Sequence, residues 1–337
     1  MNHVPAASVL LFLLAALVAP VRAQDADSTA GIGPTGSEID AAIARALGWI
    51  ERHPASVDDG GMPELLDEAV GFRVLSSLQS DPEAQATFGT RFRERITALG
   101  ALPEFTQWVN ATPKQLADYY YLVLAAYLMQ QAGAPSTQQA AIVTQVQWLL
   151  ANSPQADPTK RLATALFLER LHVEPVVARS DLLAASRIER IARGNPPVLP
   201  QTGVSRQQRR AANLELYALV HEVIGLTDFG FDPVPTWLVE REKPLDSFLA
   251  QAVQWAGATA DIDLESELLV AARFIRAPLG PVQAQALRHI LSSQQADGSW
   301  GADTTTMRAN KYRHTVFTAT AALRCMAANL AQGQGAK

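Results

Sequence analysis

The chain of 337 residues carries 33 acidic and 28 basic residues, a formal net charge of −5, and hydrophobic residues make up 48% of it. An acidic balance of this kind excludes a nucleic-acid-binding surface as the default function. Cys325 is the only cysteine, so no disulfide forms within the chain and the fold depends on its core.

A secretory signal peptide is predicted at the N-terminus. The segment VLLFLLAALVAPV, residues 9–21, is apolar and is followed by Arg22 and Ala23, so we expect cleavage after Ala23. A spanning helix needs about 20 apolar residues, more than this run contains, and an uncleaved anchor is the alternative. We therefore expect a secreted or periplasmic protein whose mature chain has no stable membrane span.

The remaining chain divides into a tail, one domain and a short end. Residues 24–37 are small and polar, which is typical of a flexible N-terminal tail, and residues 332–337 are predicted to be a disordered C-terminus. Between them, residues 38–331 show apolar residues at three- and four-residue spacing without alternating blocks of Val and Ile. This pattern predicts a single all-α domain.

The helices are predicted in six pairs. The first helix of each pair ends in a bulky residue, and Gly, Pro, Asn or Asp follows and stops the helix. These bulky residues are Trp49, Ile96, Trp148, Ile191, Trp255 and Ile290. A more continuously apolar helix follows each turn, within residues 62–78, 113–130, 158–172, 212–226, 261–275 and 311–326. An amphipathic helix backed by a more apolar one is what two concentric rings require.

Six pairs are the number that closes an (α/α)6 toroid, in which the second helices form the inner ring and the first helices the outer ring. The spacing between pairs is also near the period of HEAT-like solenoids, about 40–47 residues. An open superhelix is therefore the rival arrangement, and we predict the toroid.

The turn of the last pair contains Gln294, Gly298 and Trp300, in the sequence SSQQADGSWG. This Gln-x-x-x-Gly-x-Trp pattern resembles the QW motif of the terpenoid-cyclase and protein-prenyltransferase toroids, where the motif ties an outer helix to the following inner one. A Gln amide can bond carbonyls at a helix end, a glycine permits the turn, and a Trp packs into the core. The resemblance covers roughly residues 38–331 and implies the toroid fold and a structural role for this motif.

A second resemblance points to a site. The segment KYRHTVFTATAAL, residues 311–323, is similar to an inner helix of the prenyltransferase β-subunit, and the resemblance implies that His314 binds zinc. That family takes an Asp and a Cys from the start of the preceding inner helix; here Asp261 has the Asp place and Asp263 falls where the Cys would be. Sulfur favours zinc, whereas carboxylate is less selective. We therefore expect a divalent metal such as zinc, without its identity being fixed.

Asp261 and Asp263 also resemble the Asp-x-Asp-Asp acid of class II terpene cyclases, although Leu264 takes the fourth place. With His314, both lie near the start of an inner helix, so ring closure would bring all three to one end of the cavity. Unpaired amides and helix dipoles make that end positive. Asp is also favoured as an N-cap, so helix capping is the alternative to a catalytic or metal-binding role.

Five further residues are candidates for ligand binding: His221, Asp228, Tyr120, Arg161 and Tyr312. An imidazole within an apolar helix needs a partner, and Asp228, seven residues after His221, falls on the same face if the helix continues. Tyrosines beside basic groups at the cavity end could bind a sugar or an anion. The alternatives are a buried, hydrogen-bonded histidine and a polar rim.

Two functions of different classes follow from these patterns. The first is an exported metal-assisted or acid–base enzyme, a lyase, hydrolase or cyclase acting on a small molecule or a glycan, with Asp261, Asp263 and His314 as catalytic residues. The second is a non-catalytic ligand-binding or scaffold protein that uses the same cavity. The fold does not decide between them.

Overall fold

The computed structural model describes residues 35–55, 62–111, 116–200, 204–239, 242–276, 280–300 and 309–334. Every regular element within these ranges is a helix, so the all-α prediction is confirmed. None of the helices described there combines the length and the apolar character needed to cross a membrane. The predicted signal peptide, most of the predicted N-terminal tail and residues 335–337 lie outside these ranges.

The helices, in chain order, are α1 (Gly36–Arg52), α2 (Met62–Ser77), α3 (Pro82–Ala101), α4 (Pro103–Asn110), α5 (Leu116–Gln131), α6 (Gln139–Asn152), α7 (Pro158–Arg170), α8 (Arg179–Ala184), α9 (Arg187–Ala192), α10 (Arg206–Leu226), α11 (Thr236–Val239), α12 (Glu242–Ala258), α13 (Ile262–Phe274), α14 (Pro281–Ser292) and α15 (Ala309–Gln334). All six predicted second helices are present, as α2, α5, α7, α10, α13 and α15. The short helices α4, α8 and α11 are additions that the pairing pattern did not predict. The helical range also begins slightly inside the predicted tail and ends slightly inside the predicted disordered end.

Local sequence signals place several helix starts. Thr35 and Ser205 each form a capping box with the residue three positions later, at the starts of α1 and α10. Asp157 and Asp261 accept hydrogen bonds from backbone amides of the first turns of α7 and α13. The start of α13 is therefore fixed by Asp261, which also fixes the direction in which the next residues point.

The two helices of a pair differ in how they are buried. On α1, the buried residues Ile39, Ile43, Ala46 and Ile50 recur every three or four positions and form one apolar stripe. On α13, every residue from Asp263 to Ala272 is buried, so no face of that helix is left to bulk solvent. The more continuously apolar second helices are the more enclosed ones, as the sequence pattern predicts.

Five of the six second helices, from α5 to α15, pack against one another in chain order. Helix α5 packs against α7, α7 against α10, α10 against α13, and α13 against α15, while α15 also packs against α2. The amphipathic helices contact members of this series: α1 contacts α15, α3 contacts α2, α6 contacts α5 and α7, and α14 contacts α13 and α15. Helices from the beginning and the end of the chain are therefore neighbours in space.

The segment after α14 makes the long-range contact with α1. The amide of Gln294 donates to the carbonyl of Ala42 at 2.8 Å, and the guanidinium of Arg45 donates to the Gln294 amide oxygen at 2.6 Å. Gly298 has φ +98°, and a Cβ atom at this position would lie 2.3 Å from the Arg45 carbonyl oxygen. Only glycine therefore allows this turn to approach the backbone of α1.

Trp300 is fully buried, and its indole N–H donates to the carbonyl of Ile290 at 2.7 Å. This bond caps the end of α14 with an aromatic side chain that also fills the core. The structural role predicted for the Gln294–Trp300 segment is confirmed by this burial. The resemblance implies that this segment joins an outer helix to the following inner helix. In the structure, its hydrogen bonds join α14 to α1.

We expect Trp300→Ala to lower the free energy of unfolding by about 3–5 kcal/mol, because a large buried aromatic side chain is replaced by a cavity. Chemical denaturation followed by circular dichroism measures this. Trp148→Ala is the matched control, since Trp148 is 58% exposed and a surface substitution changes stability by about 0.5 kcal/mol or less. Equal losses in the two variants would contradict a core role for Trp300.

Candidate functional site

A cluster of polar side chains lies near the starts of α2, α13 and α15. Asp263 and Glu267 are four residues apart on α13, so they lie on one face of that helix. His314 reaches the same place from α15, and both carboxylates are buried although they carry ionisable groups. Buried carboxylates need a compensating partner, and the contacts of these three residues define the site.

The imidazole of His314 lies between the two carboxylates of α13. Its Nε2 atom is 2.9 Å from Oε1 of Glu267 and 3.8 Å from Oδ1 of Asp263. One ligand atom from each of the three residues lies within 4.8 Å of the others, a spacing that can hold a metal ion. Imidazole nitrogen and carboxylate oxygen together are a donor set suited to divalent transition metals.

Asp67 of α2 holds the other side of the ring. Its carboxylate accepts from Nδ1 of His314, at 2.9 Å through Oδ1 and 3.1 Å through Oδ2. A carboxylate on one imidazole nitrogen fixes the ring orientation and directs the other nitrogen, which is the usual outer partner of a metal-binding histidine. Asp67 thereby aims Nε2 of His314 at the two carboxylates of α13.

Two hydroxyl groups hold Asp263 in place. Tyr217 of α10 donates to Oδ2 at 3.0 Å, and Thr318 of α15 donates to Oδ1 at 3.0 Å. Because each carboxylate oxygen accepts one hydrogen bond, the orientation of Asp263 is fixed from two neighbouring helices. Burial and the negative charge of Asp263 raise the pKa of the Tyr217 phenol well above its usual 10, so Tyr217 remains a donor.

The pKa values of His314 and Glu267 depend on each other and on the neighbouring aspartates. Burial alone lowers the pKa of His314, but the charges of Asp67 and Asp263, with hydrogen bonds to Asp67 and Glu267, raise this pKa well above 6.5. Burial raises the pKa of Glu267 to about 7, helped by the charge of Asp263 and opposed by the hydrogen bond from His314. Near neutral pH Glu267 can therefore exchange a proton, and a cation can take the place of that proton.

Glu64 and Arg313 lie at the edge of the cluster. Burial and the charge of Asp67 raise the pKa of Glu64 to about 7, while the nearby Arg313 opposes this rise. Arg313 is itself buried, and its guanidinium donates to Glu64 at 3.0 Å and to the carbonyls of His53 and Pro54 at 3.0 and 3.1 Å. Glu64 and the two carbonyls therefore satisfy the guanidinium of Arg313.

The structure separates the roles of the two aspartates at the start of α13. Asp261 is the N-cap, accepts from the amide of Leu264 at 3.2 Å and also accepts from Asn213 at 2.7 Å. Asp263 points to His314. The capping alternative therefore applies to Asp261, and the inward position belongs to Asp263.

His221 and Tyr120 lie within electrostatic range of the cluster. The positive charge of His314 is among the causes that lower the pKa of His221. The negative charge of Glu267 is among the causes that raise the pKa of Tyr120, after burial and the neighbouring Tyr121. Both residues are therefore placed near the site, on α10 and α5.

Asp228 lies elsewhere, because α10 ends at Leu226 and the condition for its pairing with His221 is not met. Asp228 has φ +46° and accepts a hydrogen bond from Arg73, with Arg170 at 4.0 Å. These contacts lie toward the C-terminal ends of α2 and α7, away from the helix starts that carry His314. Asp228 therefore holds the turn after α10.

Arg161 donates to the carbonyl of Pro154 at 3.3 Å, and no contact to the cluster is recorded for it among the described residues. The side chain of Tyr312 lies outside the described part of the chain. His289 of α14 is partly buried, and its Nδ1 atom lies 2.7 Å from Oε2 of the buried Glu265.

A family model described as "Domain of unknown function (DUF6895)" matches residues 43–322. The chain belongs to this family. No curated protein and no solved structure matches it. The matched range includes Asp67, Asp263, Glu267 and His314, so the cluster lies within the DUF6895 region.

The sequence analysis missed four members of the cluster. Glu267 could have been found as the residue four positions after Asp263, and Thr318 as the residue four positions after His314. Asp67 and Tyr217 carry no such signal, since each comes from a helix far along the chain from α13 and α15. Their roles depend on how the helices pack.

We expect Asp67→Asn to lower the pKa of His314, because the imidazolium loses its nearest negative charge. The folded-state pKa of His314 lies above the unfolded value of about 6.5. The stabilisation by these ion pairs is therefore complete below pH 6.5 and is lost as the pH rises through the folded-state pKa. Titration of the imidazole proton signals by NMR measures the shift.

The control for this titration is Asp261→Asn, which keeps a good N-cap residue and removes a carboxylate that does not contact the ring. An unchanged His314 pKa in Asp67→Asn, or an equal drop in Asp261→Asn, would contradict the assigned contact. The free energy of unfolding should also vary less with pH above about 6.5 in Asp67→Asn than in the wild type, and Asp261→Asn should not show this change.

Proposed function

We propose that this DUF6895 protein is an exported, metal-assisted hydrolase whose divalent cation is bound by Asp263, Glu267 and His314. The observation that carries the proposal is the convergence of these three ligand atoms within 4.8 Å of one another, with the imidazole oriented by Asp67 at 2.9 Å. This combination supplies two carboxylates, one directed nitrogen and an outer partner, which metal sites commonly use.

The charge balance of the cluster supports a cation. Asp67, Asp263 and Glu267 together bring up to three negative charges to one imidazole, which carries at most one positive charge. Among the described residues, the Oε2 atom of Glu267 is buried and has no hydrogen-bond partner. Two of the other buried carboxylate oxygens without a hydrogen bond there, in Asp228 and Glu68, have an arginine at 4.0 and 3.6 Å. A cation would provide Glu267 with the partner that it lacks.

We also propose that the six helix pairs form a closed (α/α)6 toroid, with the cluster at the inner-helix N-terminal end of its cavity. This proposal is supported by the packing of the second helices in chain order and by the contact of α15 with both α2 and α13. The hydrogen bonds from Gln294 and Arg45 join the same ends of the chain. An open superhelix would keep these ends apart.

Asp263, Glu267 and His314 would hold the divalent cation, which when bound would supply a water with a pKa of about 7 and a polarised ester, amide or glycosidic oxygen. Tyr217 and Thr318 keep the carboxylate of Asp263 in one orientation. The ligand in this proposal is a small molecule or a glycan.

A metal-free acid–base site is the second candidate, and one observation favours it. Both ring nitrogens of His314 are hydrogen-bonded to carboxylates, at 2.9 Å each, so an imidazolium is satisfied there without a metal. With a pKa of about 7, Glu267 can donate and accept a proton near neutral pH. A non-catalytic binding protein would use the same cavity without turnover.

Metal binding separates these candidates. We expect purified protein to bind Zn2+ or Mn2+ at one site, and His314→Ala and Glu267→Gln to abolish this binding without loss of helical content. Asp67→Asn should weaken binding by about 10–100-fold, as the loss of an outer partner does. Affinity should rise with pH through about 7, because the ligands must release protons before a metal binds. Isothermal titration calorimetry and metal analysis measure these changes.

The control variant for metal binding is Asp261→Asn, which should bind the metal like the wild type, because Asp261 caps α13 and does not belong to the ligand set. Absence of binding in the wild type would leave the metal-free site as the better account. Equal binding in the wild type, His314→Ala and Glu267→Gln would place the cation elsewhere.

Export is the remaining part of the proposal, and it depends on residues 1–23. Expression of the full chain in a bacterial host should give a periplasmic or secreted product that starts at Gln24, because the apolar run ends before Ala23. Mass spectrometry of the intact product measures its N-terminus, and Ala23→Arg is expected to block cleavage. A cytosolic product that retains Met1 would contradict export.

A further inference from the structure

The face of α10 that carries Tyr217 also carries His221. Asn213, Tyr217 and His221 follow one another at four-residue spacing, so they lie in one row along the helix. Asn213 donates to Asp261 at 2.7 Å, and Tyr217 donates to Asp263 at 3.0 Å. This row therefore faces the beginning of α13.

The two contacts also give the register between the helices. Residue numbers increase together along α10 and α13, so the two helices run in the same direction at this contact. Four residues advance a helix by about 6 Å. His221, one turn beyond Tyr217, therefore lies on the side of α10 that faces α13, and the charges of His314 and Asp263 both act on it.

The surroundings of His221 combine access to water with enclosure by protein. Its side chain is exposed, yet removal from bulk water, together with the positive charges of His314 and Lys160 and against those of Asp157 and Asp263, lowers its pKa to about 4. Solvent therefore reaches the ring although protein atoms surround it.

Neither ring nitrogen of His221 has a hydrogen-bond partner among the described residues. Its ring also lies outside the group of ligand atoms within 4.8 Å of one another, so it is not placed to coordinate a cation directly. A neutral imidazole with a free ring nitrogen can accept a proton, which is the role of a general base.

We propose that His221 is the proton acceptor for the water that reacts at the cation of the Asp263–Glu267–His314 site. The inference rests on the proposed metal-dependent hydrolysis. In the step, one O–H bond of the water breaks and its proton moves to a free ring nitrogen of His221. The electron pair stays on the oxygen, which forms a bond to the carbonyl carbon of the ester while the carbonyl π electrons move to the carbonyl oxygen. When the C=O bond re-forms, the bond from carbon to the leaving oxygen breaks, the alcohol or phenol leaves with that electron pair, and the imidazolium releases its proton to the leaving oxygen or to solvent.

The test uses the Zn2+-loaded full-length protein and p-nitrophenyl acetate, an activated ester whose phenolate product absorbs visible light. The wild type should hydrolyse this ester faster than free Zn2+ does. His221→Ala should lower the rate by about 100-fold or more, within the range for loss of a general base, while Zn2+ affinity measured by calorimetry stays within about twofold. Added imidazole should restore part of the rate in His221→Ala, which a purely structural role would not allow.

His172→Asn is the matched control, since His172 is an exposed histidine in the turn after α7 with φ +62°, a conformation that Asn tolerates. This variant should keep the wild-type rate. Bound Zn2+ with no hydrolysis in the wild type, or with equal rates in the wild type and His221→Ala, would overturn the role of His221 and leave the cation site standing. Absence of Zn2+ binding in the wild type would overturn the proposed function, and this inference with it.

Discussion

The negative charge shared by Asp67, Asp263 and Glu267 is the constraint on which the site depends. Moving a carboxylate out of water is costly unless a partner compensates it. The single imidazole of His314 contacts all three groups, at 2.9 Å for Asp67 and Glu267 and 3.8 Å for Asp263. Because one imidazolium carries a single positive charge against up to three carboxylates, the cluster favours a further proton or a cation.

Glu222 is a buried charge that, unlike those of the cluster, accepts hydrogen bonds from backbone amides. Glu222 accepts from the amides of Arg187 and Ile188, at 2.8 and 3.1 Å, and from the hydroxyl of Thr159 at 2.8 Å. Glu222 thereby satisfies the free amides at the start of α9.

The recorded hydrogen bonds of Asp67, Glu267 and His314 join side chains from α2, α13 and α15, and none of them caps a helix. Removing the Glu222 contacts would leave backbone groups unsatisfied, whereas removing the cluster would leave the helix ends intact.

The parts of the structure that follow from local sequence could be predicted, and the parts that depend on packing could not. Apolar spacing located the paired helices, and the preference of Asp for the N-cap position indicated the capping role that Asp261 has. The resemblance brought Asp263 and His314 together, which the structure places 3.8 Å apart.

The pairing of Asp228 with His221 depended on a helix end that could not be predicted from the sequence. That pairing assumed that α10 continues, but Asp228 and Phe229 adopt φ +46° and +57°, a left-handed conformation that non-glycine residues rarely adopt. Buried contacts with arginines hold this turn, and the sequence alone does not indicate them. Asp67 escaped prediction for a similar reason, because its partner on α15 lies 247 positions away.

The hydrogen bond from Gln294 to Ala42 spans 252 positions, and it has a consequence for how the protein is made. Until the segment that contains Gln294 has been synthesised, α1 lacks this partner, and until α15 has been synthesised, α2 lacks the helix that supplies His314. Part of the apolar surface of these early helices therefore stays uncovered during that time. Contacts of such long sequence separation form slowly, and incompletely packed chains of this size are prone to aggregate. The site thus assembles only after α15 has been synthesised, and a truncated chain without α15 has no route to an assembled site.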